Sequence, residues 1–282
     1  MTHQPLAEVF GFPVDDFSEQ AVQHRQHRLC PYHNRIAQCT KDKANDPLGV
    51  CSVFDTRGNI AITCPVRLRQ NWLVEQDAAK FFFPETSHWA ALSEIQLNDE
   101  HGISAGNIDL ALVAYDEQGQ IIDFGSLEIQ AVYVSGNVRQ PFEHYMNNPH
   151  SYLETPPTLP NRPRPDYLSS SRKRLVPQLL YKGSILKAWG KKQAVALHSE
   201  FYKTLPAFPE VEPEEADMVW LIYDLGSSSE GDQYQLKLSR SVFTLFKPAL
   251  DRIITPDLGR IEDFLSRLQK RLHGKLEGND LA

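Results

Sequence analysis

The sequence predicts a mixed α+β (α/β) fold, with a mixed central sheet flanked by helices and a cysteine-bearing region set apart at the N-terminal end. Three observations carry this reading. All four cysteines, Cys30, Cys39, Cys51 and Cys64, fall in the first quarter of the 282 residues. Residues 107–113 and 121–134 alternate around a turn in the manner of paired strands. Residues 218–225 are almost wholly apolar, as a central strand would be, and residues 257–276 have the amphipathic spacing of a closing helix. The expected division is residues 1–70 for the cysteine region and residues 71–282 for the larger core.

Composition bounds the rest. A hydrophobic content of 41% is ordinary for a globular chain able to bury a core. No run approaches the roughly 18 apolar residues of a membrane helix, so a cytoplasmic protein with no membrane partner is expected. The net charge of -7 argues against a uniformly basic coat protein, but charge is unevenly placed. Residues 162–192 hold nine Lys or Arg against the single acid Asp166, whereas residues 210–217 are acidic. The basic stretch suits a polyanion.

In chain order, residues 50–54 and 59–63 flank Asp55-Thr56-Arg57-Gly58 and read as a hairpin. Residues 71–83 and 88–97 carry apolar side chains at helical spacing, with Pro84 between them, so both are expected to be helices. After the strands at 107–113 and 121–134, the proline-rich residues 151–165 predict an irregular connection. Residues 183–202 read as a helix through Ile185, Leu186, Trp189 and Leu197, and residues 234–238 as one more strand.

The candidate chemistry lies in the second long strand. In Glu128-Ile129-Gln130 the period of two puts Glu128 and Gln130 on one face and turns Ile129 inward. Asp109 is one hairpin away, and Glu94 is a further carboxylate placed near the end of the expected preceding helix. Two carboxylates brought together call for a cation, and magnesium needs only one or two of them. Such a site suits phosphodiester hydrolysis, which requires charge neutralisation and an activated water. An Asp followed by acid-x-Lys on the next strand marks a large nuclease superfamily, but here glutamine stands in the lysine position. Gln130 can neither carry charge nor titrate. The same residues would also decorate the exposed face of an ordinary hairpin.

Four clustered thiols in a reducing compartment indicate a metal site more readily than disulfides. Four thiolates suit zinc or iron in a closed structural site. The ligands are separated by eight, eleven and twelve residues, with no Cys-x-x-Cys pair. His24, His27 and His33 flank Cys30 as alternative ligands. Four separately buried cysteines are the other reading.

Cys30-Pro31-Tyr32-His33-Asn34, residues 46–53 around Cys51, and Ile62-Thr63-Cys64-Pro65-Val66-Arg67 together resemble the NotI family of type II restriction endonucleases. Residues 104–109 and 127–133 resemble the catalytic segment of the same family, so the likeness runs from about residue 7 to about residue 147. The resemblance implies a PD-(D/E)XK-type nuclease core acting on double-stranded DNA with Mg2+. It implies a variant active site of Glu94, Asp109, Glu128 and Gln130, with glutamine in place of lysine, and iron held by the four cysteines, zinc being the substitute. It further implies a homodimer cutting both strands of a palindromic, GC-rich site, and allows a companion DNA methyltransferase acting separately. Arg67, Arg69, Arg172, Lys173, Arg174, Lys187 and Lys191 are the candidates for phosphate or guanine contacts. A non-catalytic DNA-binding regulator is the competing reading. An electron carrier is disfavoured by the missing close cysteine pairs.

Overall fold

The computed structural model describes residues 4–34, 36–43, 45–154, 160–226 and 233–276. At the N-terminal end β1 (Leu6–Val9) pairs antiparallel with β2 (Phe12–Pro13) and, after helix α1 (Glu19–His27), with β3 (Val50–Phe54). β4 (Ile60–Ile62) completes this four-stranded sheet as the hairpin partner of β3. The hairpin closes because the Asp55 carboxylate accepts from the backbone N–H groups of Arg57 and Asn59 at 2.7 and 2.8 Å. Gly58 takes the left-handed backbone, φ 86°, that the turn needs.

α2 (Leu73–Phe82) follows, with Val74, Ala78 and Phe82 at four-residue steps on its buried face. The main sheet then assembles from β5 (His88–Asn98), β6 (Ser104–Tyr115) and β7 (Ile121–Gln130), which run as an antiparallel meander. A short ribbon, β8 (Tyr133–Ser135) with β9 (Arg164–Asp166), leaves the sheet and encloses the helices α3 (Arg139–Asn147) and α4 (Pro149–Glu154) in its loop. A long helical stretch, α5 (residues 167–188), leads to β10 (Gln193–His198), β11 (Met218–Gly226) and β12 (Gln235–Thr244). β10 inserts parallel to both β7 and β11, giving the six-stranded order β12-β11-β10-β7-β6-β5. Helices α6 (Phe246–Ile254) and α7 (Ile261–Leu276) close the described chain.

Both faces of this sheet are covered. α2 lies on one, packing Val74, Ala78 and Phe82 against Leu112, Leu127, Ala196 and Leu221. On the other, Val195, Trp220 and Ile222 join Leu175 and Leu179 of α5, Phe246 of α6, and Val50 and Val53 of the N-terminal sheet in one apolar cluster. The cysteine region and the main sheet therefore share a core.

Three expected elements differ. Residues 88–97 form the edge strand β5 rather than a helix: Trp89 and Ala91 pack toward α2, Leu92 and Ile95 are each 40% exposed, and Glu94 has φ 56°. That left-handed residue interrupts the alternation, so the apolar spacing imitates a helical one. Residues 183–202 split. The helix ends at Gly190, φ 66°, and β10 begins at Gln193 with all six residues buried. A strand covered on both faces shows no period of two. Residues 121–134 likewise break after Gln130, where the Val132 N–H donates to Ile62 O at 2.8 Å and ties the main sheet to β4. Among the described residues no helix is long and apolar enough to cross a membrane.

Candidate active site

The carboxylates meet at the end of β7. Pairing of Ser93 with Leu110 and of Ile95 with Ile108 sets Glu94 opposite Asp109 across β5 and β6. Glu94 thus lies on a strand, not at a helix end as expected, and reaches the same cleft as Asp109. Leu110 pairs with Leu127, which brings Asp109 level with Glu128. There the backbone ladder gives way, and the Ile129 N–H donates to the Asp109 carboxylate at 2.8 Å instead. Ile129 packs into the α2 core, while Glu128 and Gln130 face α5.

α5 answers those two side chains with two of its own. Lys182 donates to Glu128 Oε2 at 2.7 Å and to the Asn107 carbonyl at 2.6 Å, and the Gln130 amide donates to Gln178 Oε1. Lys182 and Glu128 are both almost fully buried. Lys182 projects from a widened π-helical turn, Leu179–Gly183. A second such turn, Ser171–Leu175, precedes it, and Pro177, which has no N–H to donate, lies between them. The sequence reading did not single out Lys182. Its signal was available in the lone lysine between Leu179-Leu180-Tyr181 and Gly183, but its partner is 54 positions away.

The electrostatics of the pair are set chiefly by burial. Burial, and then the neighbouring Asp109, push Glu128 up to about 8, although Lys182 pulls in the opposite direction. Burial also raises Asp109, against the Ile129 hydrogen bond and Lys182. Glu128 Oε1 is buried with no hydrogen-bond partner.

Asp109, Glu94 and Gln130 open onto a cleft of about 1020 Å³. Arg69, Lys173 and Arg174 line it, and the Arg174 guanidinium sits 4.9 Å over the ring of Tyr133. Arg172 is exposed on the same turn. The other expected DNA contacts are elsewhere. Lys187 pairs with Asp217 and Lys191 with Asp123, beyond the start of β10, at the end of the sheet away from Glu128. Arg67 is a correction to the expected surface role: it is fully buried, with its guanidinium on Glu8 at 2.9 Å and further donors on Gln70 and the Tyr234 carbonyl.

Cys30, Cys39, Cys51 and Cys64 line one small cavity with Phe10 and Tyr32. All four are free thiols. Burial pushes Cys30 up to about 11 and Cys51 well above the ordinary thiol range, with the Cys64 sulfur adding to both shifts. Among the described residues no group of three or more His, Cys, Asp or Glu side chains is arranged to hold a metal ion. The structure therefore brings the cysteines to one place without closing them into a preformed centre. His24, an alternative ligand, packs instead against Phe12 in a tilted contact, with ring centroids 5.0 Å apart.

A mixed sheet that delivers carboxylates to an arginine- and lysine-lined cleft is consistent with a nuclease. The family model described as restriction endonuclease NotI matches residues 15–236, and the chain belongs to that family. It is accordingly a site-specific deoxyribonuclease of the type II restriction class, which sets aside the regulator and electron-carrier readings. No curated protein matches the chain.

Proposed function

We propose that this chain hydrolyses both strands of double-stranded DNA at a palindromic, GC-rich site, using Mg2+ held by Asp109 and Glu128 with Glu94 beside them, in a PD-(D/E)XK-type core. The observation that carries the reading is the buried, unpartnered Glu128 Oε1 on the strand position level with Asp109, which itself opens with Glu94 onto a cationic cleft. Oxygen-only donors on two carboxylates suit a hard divalent cation that keeps several waters. When bound, the ion would neutralise phosphate charge and lower the pKa of a water molecule.

The chain's own groups divide the remaining work. Lys182 supplies, from α5, the fixed positive charge that Gln130 cannot, and holds Glu128 in place. Gln130, oriented by Gln178, offers an amide to a water or phosphate oxygen. Arg69, Lys173 and Arg174 hold the phosphate backbone in the cleft. The four cysteines take up iron, or zinc in its stead, to fix the N-terminal sheet. Two copies of the chain act together, one on each strand.

The test is cleavage of plasmid DNA in Mg2+ beside DNA binding in Ca2+. Asp109→Asn, Glu128→Gln and Lys182→Met are each expected to lower cleavage roughly 10²- to 10³-fold, the loss typical of removing one charge-stabilising group. Binding in Ca2+ should persist. Full cleavage by Asp109→Asn would refute the assignment. Sequencing the ends of a digested genome reads out the recognised bases.

A further inference from the structure

Glu75, in the first turn of α2, is a carboxylate with almost nothing to answer it. Its side chain is 0% exposed, and neither Oε1 nor Oε2 has a hydrogen-bond partner. A buried charge is destabilising unless it is paired. The polar groups nearest along α2 are committed elsewhere, since the Tyr223 hydroxyl and Lys80 both donate to Asp77. Among the described residues the one ion pair that Glu75 makes is with Arg69, whose Nε stands 3.5 Å from Oε1.

Arg69 faces the cleft as well, which it lines together with Glu94 and Asp109. Burial raises the Asp109 carboxyl, and Arg69 is among the charges that act against that rise. The chain between Arg69 and Glu75 is tightly folded. Asn71 and Trp72 take the left-handed backbone in succession, φ 52° and 59°, a conformation that persists only where the surroundings hold it. Asn34 Nδ2 donates to the Arg69 carbonyl at 3.1 Å, and the neighbouring Gln70 is buried and accepts from the Leu236 N–H at 2.9 Å. The backbone of Arg69 is thus fixed, whereas its Nε makes no hydrogen bond. The direction of the guanidinium is left to the charge beside it.

We propose that Glu75 is a positioning residue for Arg69: its carboxylate anchors the rigid guanidinium fork at Nε, so that the Nη groups are presented to a phosphate oxygen of the DNA beside Asp109. The inference rests on the reading of Arg69 as a phosphate contact and goes beyond it by giving a role to Glu75, which touches neither DNA nor the reacting atoms. An acid in the first turn also meets the positive end of its helix. That contribution is to stability, and a melt reads it separately.

Glu75→Gln keeps the shape of the side chain and removes its charge. Losing a negative charge beside the cleft would by itself tighten DNA binding, so a loss of function has to come from position. Single-turnover cleavage of plasmid DNA in Mg2+ is expected to slow roughly 10- to 100-fold in Glu75→Gln. Plasmid binding in Ca2+ should weaken rather than tighten, and the circular-dichroism melt should stay at or above that of the wild type. Arg69→Ala should slow cleavage by a similar factor, and adding Glu75→Gln to it should change the rate less than about two-fold. Arg69→Lys, which keeps the charge but has no planar fork, should cut as slowly as Arg69→Ala. Wild-type cleavage by Glu75→Gln or by Arg69→Lys overturns the proposal, as do tighter binding, a melt lowered in step with cleavage, or losses that add in the double variant. Wild-type cleavage by Arg69→Ala would remove the phosphate contact and this inference with it, and would leave the carboxylate assignment to its own replacements at Asp109 and Glu128.

Discussion

Glu128 has two oxygens in different circumstances. Oε2 meets Lys182, and Oε1 meets nothing. With the side chain held up to about 8 by burial and Asp109, the folded state without a bound cation keeps a proton that the unfolded chain releases near the ordinary value of 4.5. The sign follows from linkage: this group's contribution to stability is complete below about 4.5 and is lost as pH rises through about 8. In chelator, the melting temperature of the wild type should therefore fall relative to that of Glu128→Gln between pH 5 and 8.5. His198, pushed down to about 4 by burial, acts with the opposite sign in both proteins and cancels in the comparison. Parallel melting curves across that range would show that Glu128 is already ionised.

At the scale of elements, helix and strand match in step. Residues four apart on an α-helix are separated by about 6 Å along its axis, and residues two apart on a strand by about 6.6 Å. Gln178 and Lys182 on α5 can thus meet Gln130 and Glu128 on β7 one to one. The acidic half of this arrangement was legible in the sequence because Asp109 and Glu128 lie on consecutive strands of a short hairpin, where period two decides which side chains share a face. Lys182 was not, because local periodicity says nothing about which distant helix will cross a strand. The helices expected over residues 88–97 and over the latter part of 183–202 are strands for different reasons: a left-handed Glu94 shifts the phase of one, and burial on both faces erases the pattern of the other. Gly125 of β7 lets α2 lie close on the sheet, since a Cβ there would fall 2.6 Å from the Phe82 ring. Gly125→Val is expected to cost about 1–3 kcal/mol through overpacking, measurable by urea denaturation. A variant as stable as the wild type would mean that α2 is free to lift.

At the scale of the molecule, the cysteine cavity and the cleft belong to one packed body, since Cys39, Leu48 and Val50 share a cluster with Val195 and Trp220. A soft cation would turn the four thiols into thiolates and link its affinity to folding. Protein grown without added zinc is expected to carry about one atom of iron or zinc per chain, to lose it in Cys51→Ser, and to melt at a lower temperature in phenanthroline. Elemental analysis finding neither metal would leave the cysteines as packing residues. The clustering of the four was plain in the sequence. Their fusion with the core was not, because it depends on contacts across the whole chain.

The longest of those contacts set the order in which the chain can mature. The Glu8–Arg67 ion pair is fully enclosed only when Tyr234 O receives Arg67 and the Leu236 N–H reaches Gln70 Oε1, at 2.8 and 2.9 Å. During synthesis those last partners leave the ribosome on the order of ten to thirty seconds after Arg67, at roughly 5–20 residues per second. For that interval the nascent N-terminal segment holds an ion pair and a greasy strand face with nothing to shelter them. The nuclease becomes competent only once Tyr234 and Leu236 have emerged and docked, and a chain released before them should go to chaperones or proteases rather than to DNA.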